Sequence, residues 1–205
     1  MAEYRRQNFR YELASTNCHK VNASCHVELN EFNGHVFVHS LDRERADLVW
    51  LNVSVYDAGK LFRAAPYRLL WLRVLDVNDN APAFRLERYM IEIRTANDLF
   101  EENEEFALIF KESAVDRDAG ENGTLAYELV RNYQDLFYVE TNSGKVWMSL
   151  QLLRDQDRVA SGNVFQLRLL CKDNGSPAFK FITVDIDVKV IYAYILFDVK
   201  SLGHI

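Results

Sequence analysis

From Ile182 to Val190 every second residue is apolar: Ile182, Val184, Ile186, Val188 and Val190, with Thr183, Asp185, Asp187 and Lys189 between them. A strand turns successive side chains to opposite faces, so this alternation demands one buried face and one wet face. Leu70, Leu72 and Val74 repeat the pattern with Trp71 and Arg73 between, and residues 48–56 (LVWLNVSVY) and 164–169 read as further strands. No long helix is written into the chain. Residues 99–113 (LFEENEEFALIFKES) carry helical propensity and are the one ambiguous stretch. Turn signals separate the runs: Asn33-Gly34, Asp57-Ala58-Gly59, Asn122-Gly123, Ser143-Gly144 and Asp173-Asn174-Gly175. Many short strands at this spacing, in a chain 49% apolar, predict an all-β sandwich or barrel.

The pattern occurs twice. Tyr11-Glu12-Leu13 recurs as Tyr127-Glu128-Leu129, Asn33-Gly34-His35-Val36 as Ser143-Gly144-Lys145-Val146, and Val53 to Asp57 as Leu169 to Asp173. The offset is 116 residues at Tyr11 and at Asp57 but 110 at Gly34, so six residues have moved from one side of the glycine to the other. Two tandem copies of one β unit account for this. The joint falls near Asn80-Ala81-Pro82, where a proline suits a strand end. The expected domains are therefore 1–80, 81–191 and a divergent tail, 192–205.

Charge excludes one class of partner. Lys and Arg total 24 against 30 Asp and Glu, a net charge of -6, whereas a general nucleic-acid binder is basic. Of three cysteines, Cys18 and Cys25 are near enough to pair, Cys171 is left over, and none has zinc spacing. The first residues lack the apolar core of a secretory signal, and the most apolar stretch is too short to span a bilayer. No GxSxG elbow, phosphate-cradling glycine loop or paired Cys/His site offers a nucleophile, so no enzyme and no small-molecule substrate are expected.

The chemistry gathers at the joint. Asp76-Val77-Asn78-Asp79-Asn80-Ala81-Pro82 follows a strand, Leu41-Asp42-Arg43-Glu44 lies upstream, and Asp116-Arg117-Asp118, Gly120-Glu121-Asn122-Gly123 and Asp173-Asn174-Gly175 lie downstream. Alternate residues of an extended chain share a face, so each D-x-D or D-x-E aims two carboxylates the same way. Hard divalent cations want several such oxygens together with amide and backbone carbonyls.

LDRE, DVNDNAP, DRDAGENG and KDNG, in this order and over nearly the whole chain, resemble cadherin repeats. The resemblance implies a seven-stranded Greek-key β-sandwich for each repeat and a linker that clamps up to three Ca²⁺ ions. Carried over position by position, the ligands are Asp42 and Glu44 from repeat one, and Asp76, the Val77 carbonyl, Asn78, Asp79 and the Asn80 carbonyl from the linker. Repeat two adds Asp116, Asp118, the Asn122 carbonyl and Asp173. Seven carboxylates packed together repel one another without cations, so the charge pattern and the resemblance point the same way.

The chain also departs from the family pattern. Residues 9–13 already read as the second strand, so repeat one lacks its N-terminal strand and the Glu-bearing turn that bridges two ions. The ion nearest repeat two is expected to be the intact one. Glu101 stands where a bridging Glu is expected, but for a site this chain does not complete. Tyr192, Tyr194, Ile195 and Leu196 replace a second acidic linker, and residues 153–157 degrade the second LDRE. Asp57 is left without partners.

The duller readings are these. NDN before proline is a turn, Asp116-Arg117-Asp118 a surface ion-pair cluster or the DxD of a metal-dependent transferase. His19, His26, His35, His39 and His204 read as ordinary surface residues. Sequons begin at Asn22, Asn52, Asn122 and Asn174, fitting an exposed glycoprotein. Trp50, Trp71 and Trp147 read as packing residues rather than strand-swapping anchors.

The expected function is calcium-dependent cell-cell adhesion by an extracellular module at the plasma membrane, with cadherin ectodomains as homophilic partners. Its hold on the membrane would run through a segment not in this chain. The alternative is a non-adhesive receptor or matrix module stiffened by calcium.

Overall fold

The computed structural model describes residues 8–21, 23–59, 63–94, 105–133, 136–154 and 162–191. The chain divides into two compact units, Met1–Val77 and Asn78–Ile205.

Unit 2 is the fuller sandwich. One sheet has the order β7 (Arg88–Arg94), β13 (Phe181–Ile191), β12 (Val164–Asp173) and β9 (Leu125–Arg131). β7 runs parallel to β13, and the other pairs are antiparallel. The second sheet is β10 (Phe137–Val139), β11 (Val146–Ser149) and β8 (Phe106–Phe110), with the short helix α2 (Leu150–Arg154) after β11. Their inner faces share one core, in which Phe110, Val146 and Met148 meet Leu167, Leu169, Ile186 and Val188. The ambiguous stretch thus resolves to a strand at Phe106–Phe110, because Ala107 and Phe110 are buried there. Residues 95–104, including Glu101, lie outside the described residues, as do 155–161, with the acidic part of the second LDRE, and 192–205, the non-acidic tail. The wet face of β13 is not wholly wet: Asp187 is only 6% exposed, because β13 lies between β7 and β12. Arg88 Nη1 stands 3.6 Å from its carboxylate.

Unit 1 has one sheet of β1 (Phe9–Thr16), β4 (Leu48–Asp57), β5 (Arg63–Ala64) and β6 (Arg68–Arg73), and a hairpin of β2 (His26–Leu29) and β3 (Val36–His39). Helix α1 (Cys18–Val21) precedes β2, and the Cys18–Cys25 disulfide closes over it, with Cα atoms 5.3 Å apart.

The internal repeat is structural down to single residues. Tyr11 faces Val55 as Tyr127 faces Cys171, and Phe9 faces Asp57 as Leu125 faces Asp173. The ladder slips between Leu13 and Ser15 in one unit, and between Leu129 and Arg131 in the other. Gly34 and Gly144 have φ of +73° and +72°, which favours glycine. A Cβ at either would stand 2.8 Å from the Cε1 of Tyr11 or Tyr127. By this register β1 matches β9, the third strand of unit 2 and one further along than the expected second. Among the described residues, unit 1 has no counterpart of β7 or β8. The consequence is exposure: Leu70 is 44% exposed where its counterpart Ile186 is 0%.

Candidate metal centre

Three local pairings in unit 2 bring distant residues to one end of its sheet. The end of β12 faces the start of β9, with Asp173 opposite Leu125, so Asp173 lies beside the loop that carries Asp116 and Asp118. The Asn174 N–H donates to the Thr124 carbonyl at 3.1 Å and holds this end closed. An isolated bridge between Ala83 and Val115, with both hydrogen bonds at 2.9 Å, then lays the segment from Asn78 against Asp116. Sequence separation is overcome by backbone pairing alone.

The side chains complete the arrangement. The Asn80 N–H donates to both oxygens of Asp118, at 3.3 and 3.1 Å, and its Nδ2 donates to Asp118 Oδ1 at 2.6 Å and to Asp79 Oδ1 at 2.8 Å. The Asp118 N–H donates to Asp116 Oδ1 at 2.9 Å. Asn78 Nδ2 donates to Asp173 Oδ1 at 3.1 Å and to the Ala178 carbonyl at 3.0 Å. Asp173 also accepts from the N–H groups of Gly175, at 2.7 Å, and Lys180, at 3.0 Å. Asp118 and Asp173 are buried, at 7% and 1% exposure.

Two atoms point to what is wanted here. Asn78 Oδ1 and Asp116 Oδ2 are buried and have no hydrogen-bond partner. An unmet buried acceptor costs about 1–3 kcal/mol. One amide oxygen and one carboxylate oxygen, on residues hydrogen-bonded to Asp173 and Asp118, are of the type that a hard cation such as Ca²⁺ takes. Two glycines let the backbone close around it. A Cβ on Gly123 would stand 2.1 Å from the Asp118 carbonyl oxygen, and one on Gly175 would stand 1.5 Å from Asn78 Nδ2 and 2.8 Å from Asp173 Oδ1. The sequence marked both as turn formers, and the close approach is what the fold adds.

Charge also shapes the wall behind the site. Burial first, then the neighbouring Asp116 and Asp173, push the Cys171 thiol up to about 11, while its hydrogen bond with Tyr127 acts the other way. Burial likewise pushes the Tyr127 hydroxyl up to about 12.

In unit 1, arginine stands among the expected ligands. Arg43 Nη2 lies 2.6 Å from Glu44 and its Nε lies 2.5 Å from Asp76, so one guanidinium links both carboxylates. Arg45 Nε lies 3.1 Å from Asp42. Val77 is 66% exposed. In unit 2, Asn122 Oδ1 accepts from the Ser176 N–H at 3.2 Å. Asp57 accepts from the Gly59 N–H at 2.9 Å, the same turn that Asp173 makes with Gly175. The part played by Arg43 was not legible in the sequence, where LDRE gave only the acidic positions.

No protein-family model matches the chain. Among curated proteins it is 37% identical to human protocadherin Fat 1 over 115 residues, 56% of this chain and 2% of that protein. It is 30% identical to protocadherin alpha-6 of Pan troglodytes over 171 residues, 82% of this chain and 17% of that protein. The crystal structure of human CDH23 EC21-23 superposes with a TM-score of 0.71 at 25% identity, covering 91% of this chain and 63% of that one. The chain belongs to the cadherin superfamily. Extracellular cadherin domains 3-6 of protocadherin gamma B2 match with a TM-score of 0.70 at 22% identity, over 91% of this chain and 44% of that one, a likeness of fold. This cadherin chain spans only a small share of the curated relatives it matches. Its two units are tandem cadherin repeats, and among the described residues the first has no counterpart of β7 or β8.

Proposed function

We propose that this cadherin-repeat pair is a non-enzymatic adhesion module of the extracellular side of the plasma membrane, stiffened at its inter-repeat linker by Ca²⁺. The observation that carries the reading is the pair of orphaned buried oxygens, Asn78 Oδ1 and Asp116 Oδ2, within the set of Asp118 and Asp173. Of the ions the linker holds, the one on this set is the firmest. Asp79 and the carbonyls of Val77, Asn80 and Asn122 supply the remaining unit 2 and linker oxygens. Asp42, Glu44 and Asp76 contribute from repeat one once Arg43 gives way to the metal. Homophilic recognition of a second cadherin ectodomain is the proposed use of the stiffened pair.

Calcium binding to an extracellular module has a Kd of about 10⁻⁴–10⁻³ M. At a hundredfold excess over Kd the folded state gains about 2.7 kcal/mol. Thermal melting in CaCl2 and in EDTA tests this: calcium raises the transition, EDTA reverses the rise, and Asp173→Asn reduces it. Equal melting of the parent chain in calcium and in EDTA refutes the calcium reading. Bead aggregation by the longer ectodomain tests adhesion separately.

A further inference from the structure

Four of the five histidines share one exposed face of unit 1, outside the acidic linker. His26 on β2 stands directly opposite His39 on β3, and their rings are stacked with centroids 6.2 Å apart. The His19 ring lies 6.4 Å from that of His26. Glu28, two residues along β2 and therefore on the same face, places Oε1 3.3 Å from His26 Nε2. His35 lies just before β3, its ring 6.5 Å from Phe37. The sequence scatters these residues over twenty-one positions, and only the hairpin gathers them.

We propose that His19, His26 and His39, with Glu28, bind a borderline divalent ion of the Zn²⁺ class. Imidazole nitrogens suit Zn²⁺ and Cu²⁺, whereas Ca²⁺ takes oxygen, so this site differs in chemistry from the linker. Three imidazoles and a carboxylate are a tetrahedral donor set of ordinary composition for zinc. With nitrogens about 2.0–2.1 Å from a tetrahedral ion, two imidazole centroids lie about 5 Å apart. The His26–His39 and His19–His26 spacings, 6.2 and 6.4 Å, exceed that by little more than an ångström, a gap that rotation about χ1 and χ2 of these exposed side chains closes.

The backbone is already fixed for the purpose. The β2–β3 ladder holds His26 and His39 opposite each other. The disulfide joins Cys18 and Cys25, the residues immediately before His19 and His26, and so holds the His19 ring beside that of His26. The disulfide is buried while the rings are exposed, so its constraint is structural and the metal is free to enter from solvent.

Isothermal titration of the untagged chain with ZnCl2, in millimolar CaCl2 to saturate the oxygen sites, reads the proposal. One zinc binds per chain, and the heat is lost in His26→Gln/His39→Gln, while His35→Gln binds as the parent does. The Cys18→Ser/Cys25→Ser chain, checked by circular dichroism for retained β structure, binds more weakly. Absence of zinc binding by the parent, or equal binding by His26→Gln/His39→Gln, overturns the site. A loss in His35→Gln as large as in the double variant overturns the assignment of its ligands.

Discussion

Gly123 is where an added side chain in the candidate metal centre would meet backbone rather than another side chain, and filling it tests how the loop positions Asp118. A Cβ there would stand 2.1 Å from the Asp118 carbonyl oxygen and 2.9 Å from its carbon. The first distance is more than an ångström inside the optimum of about 3.5 Å for non-bonded atoms. Because the obstacle is backbone, no side-chain rotation relieves it. Gly123→Ala must open the turn at Gly120–Gly123, which the Thr124 N–H to Glu121 carbonyl bond of 3.1 Å closes. Overpacking of this kind costs about 1–3 kcal/mol. Displacing Asp118 also weakens the donation from Asn80, a bond to a charged group worth about 1.5–3 kcal/mol. A total near 3 kcal/mol lowers the melting transition by about 6–12 °C in a chain of this size. The calcium-induced rise shrinks with it, because Asp118 leaves the donor set. Gly120→Asn is the control: its φ of +60° is one that asparagine tolerates, and nothing lies within 4 Å of the added Cβ. Scanning calorimetry with calcium and with EDTA reads both variants. A Gly123→Ala chain that melts with the parent and keeps its full calcium response would refute the reasoning.

Two further outcomes follow from charge and burial. Arg168 grips Asp185 through Nε at 2.7 Å and Nη2 at 3.1 Å, holding that carboxyl below its usual range, with Arg88 adding to the effect. A depressed carboxyl contributes stability above its unfolded value and loses it as pH falls through the folded one. Arg168→Met should therefore lower denaturant stability at neutral pH, with the gap to the parent narrowing in acid; a constant gap would count against the pair. Cys171 is buried and its thiol is pushed up to about 11. Ellman's reagent at about pH 8 should leave it unmodified until the chain unfolds, and rapid labelling of the folded protein would contradict its burial.

Much of the architecture was legible because strand alternation and turn chemistry are local. Ile182 to Val190 could bury one face only as a strand, and Gly34 and Gly144 marked equivalent turns because each must admit a tyrosine ring. Alternation assigns Asp187 to the wet face, yet it is buried, because alternation reports which face a side chain takes and not whether its strand is central. Residues 99–113 were ambiguous because intrinsic propensity is weak against burial, which makes Phe106–Phe110 a strand. The acidic positions of the candidate centre could be picked out by type and order. That Asn78 and Asp116 each bury an unmet oxygen could not, since burial and partnership depend on segments far apart in the chain.

By itself the sequence determined that this protein is a doubled all-β chain with acidic and amide residues grouped in the motifs LDRE, DVNDNAP, DRD and KDNG, because periodicity and residue type survive without coordinates. Tertiary structure alone decided three things. Asp173 is sealed at the end of β12 by N–H donors from Gly175 and Lys180. Arg43 links Glu44 to Asp76. The histidines of α1, β2 and β3 converge on one face. Each depends on which strands pair and in what register, and that is set by the free energy of the whole sandwich rather than by any stretch of it.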